Sequence, residues 1–177
     1  MNSFPLLTAQ ITRSDYQHVL LNPLPVYGLL FGILALVIAL AWRSRTAQLT
    51  ALGLILLGAV SAWPAYATGQ QAYHTVYLEA DGDGKAWLDA HKHRGERLIY
   101  VYAALAAVAA VAMLLPLKIP QTASALALLT LVLAWAALGI GAWAAFAGGR
   151  VRHEEFRKAP PPRVNVHQPG RFIRLSF

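Results

Sequence analysis

Four long runs of apolar residues, nearly free of charge, dominate the hydrophobic pattern of this chain. They lie at about residues 19–42, 47–67, 98–117 and 123–147. Each is long enough to cross a bilayer as a helix, for which about 20 apolar residues suffice. Proline in Asn22-Pro23-Leu24-Pro25 is placed near a helix start, where its missing N–H is tolerated. Arg43 and Arg45 close the first run, and Trp63 and Tyr66 sit where an interfacial aromatic belt would end the second. Lys118 and Pro120 close the third, and Gly148-Gly149-Arg150 closes the fourth. Short turns join runs one to two and three to four, which predicts two antiparallel helical hairpins. The expected fold is therefore all-α, an integral membrane four-helix bundle over residues 1–157. A polar connector, about 68–97, joins its hairpins. A basic, Pro-interrupted tail over 158–177 is expected to be irregular, with a short strand at Arg171–Phe177. Small residues such as Ala103, Ala107, Ala110, Ala137 and Gly141 recur along runs three and four, as close helix approach in lipid favours.

Composition agrees with this pattern. The 177 residues are 57% hydrophobic and 13% charged, against about 25% charged in soluble domains. That excludes a soluble enzyme, a disordered tail and a fibrous protein. The absence of cysteine excludes disulfides, thiolate metal sites and covalent haem attachment. The net charge of +7 comes from residues that flank apolar runs or lie in the tail, and no nucleic-acid motif accompanies it. The first apolar run is long enough to remain as a span, so no cleavable signal peptide is expected.

Four spans place the N-terminus, the connector and the tail on one side. All 8 acids and all 6 histidines lie on that polar side. Of the 15 Lys and Arg, only Arg43, Arg45 and Lys118 lie opposite. Raw charge count makes the polar side cytoplasmic, whereas the short, purely basic opposite turns argue the reverse.

Candidate chemistry gathers at the polar-side interface. His18 precedes span one, His91 and His93 precede span three, and His153 follows span four. Neutral imidazole is the usual axial ligand of b-type haem, and bundles build cofactor sites from facing helices. Arg152, Arg94 and Arg97 could pair with haem propionates. The same histidines with Glu96 or Glu154 form a possible imidazole/carboxylate metal set, although His91 and His93 would share a face only in an extended segment. A quinone site could draw on His18, Tyr27, Trp63, Tyr66, Tyr100 and Trp143, which as readily form an aromatic belt. Glu79, Asp81, Asp83 and Gly84 imitate half of a calcium loop, but Ala90 stands where the bidentate Glu belongs, so a solvated turn is expected. Spans without ionisable residues disfavour an ion pump, and no nucleophile–base pair suggests hydrolysis.

The segments HVLLNPLPVYGLLFG, ATGQQA, HKHRGE and GGRVRHEEF resemble the small four-span bacterial membrane proteins of the domain-of-unknown-function-2231 group. The resemblance covers roughly residues 18–157. His18, His93 (or His91) and His153 match histidines that family keeps, while Pro23 and Gln70 stand where it commonly has His and Glu. The resemblance implies a bacterial inner membrane location. The family's occasional fusion to c-type cytochrome domains implies redox partners and a periplasmic polar side. Two functions follow as expectations. The first is a non-catalytic accessory subunit of a respiratory or photosynthetic electron-transfer complex, docked through its polar face and tail. The alternative is a b-type haem carrier between quinol and a cytochrome, ligated by two of His18, His93 and His153.

Overall fold

A computed structural model describes residues 9–161. Helices and short 3₁₀ turns make up its regular structure, and no strand occurs among the described residues. The expected tail strand at Arg171–Phe177 lies outside them, as does His167.

Helices α1 (Ser14–Leu21) and α2 (Pro23–Ala41) form one rod. They join at Asn22, whose own backbone stays helical (φ −58°, ψ −33°), and Pro23 supplies no N–H to continue the ladder. A turn containing Arg43, at a left-handed φ of 52°, reverses the chain. Helix α3 (Arg45–Val60) then starts from Ser44, whose side chain accepts from the Ala47 N–H. Helix α4 (Ala62–Glu79) continues α3 past Ser61. Only Ala80 and Asp81 separate it from α5 (Gly82–Leu114), which Asp81 caps by accepting from the Gly84 N–H at 2.9 Å. Pro116 and Pro120 mark the turn before α6 (Ala123–Arg152).

Four rods of 28, 35, 36 and 33 residues result: Ser14–Ala41, Arg45–Glu79, Gly82–Leu117 and Pro120–Arg152. Each is long and apolar enough to cross a membrane.

The connector differs from its sequence reading. Apart from the break at Ala80 and Asp81, residues 68–97 form the extended ends of α4 and α5. The reason is a buried stripe at helical spacing, Gly84, Trp87 and Leu88, which His91 continues one turn on into the wall of a cavity. Trp87 and Leu88 pack with Ala147 and Val151 into a small second core, flanked by Tyr73, Val76 and Tyr77. The fourth helix likewise runs through Gly148-Gly149 to Arg152 instead of ending there.

Helix α2 packs on α3 and α5 on α6, while α3–α5 and α2–α6 contacts join the two pairs. The main core holds Leu29, Ile33, Leu36, Leu52, Ile55, Tyr102 and Leu105, with Ala109 and Ala134 as small spacers. Two backbones meet at Gly28 and Gly58, where a Cβ on Gly28 would lie 2.8 Å from Gly58 Cα. Outward, Phe31, Leu57, Tyr100, Val132 and Trp135 are exposed.

Candidate functional site: a histidine pair in the polar end of the bundle

The four rods do not close on one another at the polar end, and a cavity of about 670 Å³ opens between them. Small-molecule and cofactor sites commonly fall between about 300 and 1,000 Å³. His18 comes from the last turns of α1 and His91 from α5. Their ring centroids lie 6.0 Å apart with the planes at 67°.

Each ring is oriented by the backbone of the next rod. His18 Nδ1 is 2.8 Å from the carbonyl oxygen of Ala65 on α4. His91 Nδ1 is 2.9 Å from the carbonyl oxygen of Ala144 on α6. A carbonyl can only accept, so Nδ1 is the protonated nitrogen in both rings. Nε2 is left as the lone-pair nitrogen, the tautomer that second-shell hydrogen bonding imposes on ligating histidines.

Glycine makes room for both rings. A Cβ at Gly69, one turn beyond Ala65, would lie 2.8 Å from His18 Cε1. A Cβ at Gly148, one turn beyond Ala144, would lie 3.0 Å from His91 Cε1. With any larger residue the imidazole could not reach its carbonyl without moving.

Pro25, Val26, Leu98 and Ile99 give the cavity an apolar wall, beside Tyr102, whose buried hydroxyl has no partner among the described residues. Charge appears at the mouth, with Arg13, Asp15, Lys92, Arg152 and His153. Arg13 binds Asp15 through two hydrogen bonds, of 3.0 and 2.7 Å. Lys92 Nζ stands 4.2 Å from the centroid of the Tyr73 ring, and Tyr73 donates its hydroxyl to Asp89.

The residues singled out from sequence separate into two sets. His18 and His91 converge. His93 lies on the opposite, exposed face of α5, 3.6 Å from Glu96, because two residues along a helix turn a side chain by more than half a revolution. His153 reaches the cavity rim but is exposed and hydrogen-bonded to Glu155 at 2.9 Å. Arg152, at the same rim, is bound to Glu79 at 2.6 Å. Arg94 stacks on Trp143 and donates to its carbonyl oxygen. Among the aromatic and histidine residues considered for quinone, His18 and Tyr66 line the cavity, while Tyr27, Trp63, Tyr100 and Trp143 are exposed on the outside. Asp81 and Asp83 serve the start of α5, Asp81 as its cap.

Sequence reading missed Ala65, Gly69, Ala144 and Gly148. The signal was present as Ala-x-x-x-Gly on both even-numbered spans, each apolar enough to pass for lipid-phase packing.

A clamp closes the polar end beside the cavity. Arg157 donates to Asp81 at 2.6 Å and to the carbonyl oxygens of Arg150 and Val151, both at 2.7 Å. Its guanidinium holds the Asp81 carboxyl below the usual carboxylate range, and Asp81 in turn raises Arg157. Glu155 is also lowered, first by its own backbone N–H and then by His153.

In comparisons with known proteins, no protein-family model matches the chain, and no curated protein or solved structure matches it either.

Proposed function

We propose that this chain is a multi-pass membrane protein, a bundle of four transmembrane helices, that carries a b-type haem between His18 and His91 and moves electrons through it. The observation that carries the reading is the pair itself: two imidazoles facing one cavity, each fixed by a backbone carbonyl so that Nε2 is free to ligate. His18 and His91, whose ring centroids lie 6.0 Å apart, would hold the group between them. No group of three or more His, Cys, Asp or Glu gathers among the described residues. A bare zinc or copper ion would need such a group, whereas a macrocycle brings its own equatorial nitrogens. A haem so bound would supply reversible one-electron chemistry. The chain's part is to hold and orient it, keep water from its apolar edge, and leave its charged edge at the mouth near Lys92 and Arg152.

Each rod exceeds the about 20 residues a bilayer needs, which supports a site at the membrane interface, built by protruding helical turns. We propose the bacterial inner membrane, with the polar end periplasmic and facing a cytochrome partner, and quinol as the donor.

A reduced-minus-oxidised visible spectrum of the purified protein tests the reading. A b-type signal near one haem per chain is expected. It should be lost or altered in His18→Ala and in His91→Ala and kept in His93→Ala and His153→Ala. A colourless protein that takes up no added haemin overturns the reading, and the accessory-subunit function then stands in its place.

A further inference from the structure

The cavity repeats itself. His18 stands to Ala65 and Gly69 as His91 stands to Ala144 and Gly148. The correspondence continues at constant spacing along the rods. Asn22 and Val26 on span one match Gly95 and Ile99 on span three, and all four line the cavity. Ala62, Gln70 and Ala72 on span two match Gly141, Gly149 and Val151 on span four, and these too line it. Below the cavity the burial pattern follows the same spacing. Leu29, Leu36 and Ala39 are buried as Tyr102, Ala109 and Ala112 are, and Ala51 and Ile55 as Thr130 and Ala134 are. The longer turn between spans three and four, with its two 3₁₀ segments, absorbs the difference in spacing between the two sets. Spans one and three run in the same direction, so a half-turn about the bundle axis carries one pair of spans onto the other.

We infer that the chain is an internal duplication whose two halves each furnish one equivalent half-site, so that its ligand is a six-coordinate metal tetrapyrrole with both axial positions filled by protein. This deepens the haem reading and rests on it. A two-fold site suits a ligand with two similar faces, which a planar metal chelate has and a quinone edge-on to one histidine does not. It also leaves no axial position for an exogenous gas, so the site passes electrons and does not bind or activate oxygen. Gly69 and Gly148 are positioning residues: each lets its histidine reach the carbonyl that sets its tautomer.

Full-length protein in detergent, as wild type and as His18→Gly, His91→Gly, Gly69→Ala and Gly148→Ala, tests this by electron paramagnetic resonance, carbon monoxide difference spectra and haemin titration. Wild type should be low-spin and unresponsive to carbon monoxide. Each His→Gly variant should become high-spin and bind carbon monoxide, and added imidazole should return both to low spin. Each Gly→Ala variant should weaken haemin binding by about 10-fold or more, as loss of second-shell orientation does, and raise the high-spin fraction. A haem-containing wild type that binds carbon monoxide overturns the six-coordinate assignment. So does a histidine pair of which one member is dispensable. A colourless protein that fails to take up haemin overturns the haem reading itself.

Discussion

At the scale of single residues, the site depends on which nitrogen of each imidazole is occupied. Ala65 and Ala144 contribute only backbone carbonyls, so their side-chain identity carries no trace of the role they play. The histidines were legible in the sequence as candidates, but their pairing was not. His91 and His93 are chemically identical and two residues apart, and only the helical phase of α5 sends one inward and the other to solvent. Asp81 shows the same limit. Its sequence neighbourhood suggested a solvated turn; folded, it caps α5 and receives Arg157 from the far end of the described chain. Because folding lowers the Asp81 pKa, the clamp's contribution is fully present above the ordinary value of about 3.9 and is lost as pH falls through the lower folded value. Hydrogen exchange over residues 150–157, corrected for intrinsic rates, should therefore stay slow at neutral pH and accelerate only below about pH 4. In Asp81→Asn it should be fast throughout. Unchanged exchange in that variant would show that the clamp does not hold the segment.

At the scale of elements, the instructive case is the connector. High charge hid a helix that Trp87 and Leu88 bury against Ala147 and Val151. Polar composition marks exposure to water on most faces, not absence of a helix, and the stripe Gly84, Trp87, Leu88 and His91 supplies the period. Since His91 is held by this segment, the site requires its helical state. Ala90 is buried in mid-helix, and proline there would remove a ladder hydrogen bond and clash with the preceding turn. Ala90→Pro should cost about 3 kcal/mol or more in thermal unfolding followed by circular dichroism, and should abolish ligand uptake. Ala86→Ser, a half-buried neighbour, should leave both near wild type. Equal behaviour of the two variants would argue against a continuous α5.

At the scale of the whole molecule, four apolar rods with large exposed side chains such as Phe31, Leu57, Val132 and Trp135 require an apolar surrounding that the described residues do not provide. The chain has no cysteine, so single cysteines report topology without background. Cysteine placed at Ala80 should react with a membrane-impermeant maleimide from the same side as one placed at Lys158. Cysteine at Ser44 or Gln121 should react only from the other side. Labelling of Ala80→Cys and Ser44→Cys from one face would refute the four-crossing arrangement.

The sequence by itself determined four apolar runs long enough to cross a membrane, their small-residue composition and, among the described residues, the gathering of acids and histidines at one end. Those follow from hydrophobic pattern and charge, which are properties of consecutive residues. Only the tertiary structure decided that His18 and His91 face each other, that Gly69 and Gly148 make room for them, and that the two halves of the chain repeat one site. Those depend on helix phase and on backbone carbonyls of distant segments. A carbonyl is present at every residue, so nothing in the local sequence distinguishes the two that matter.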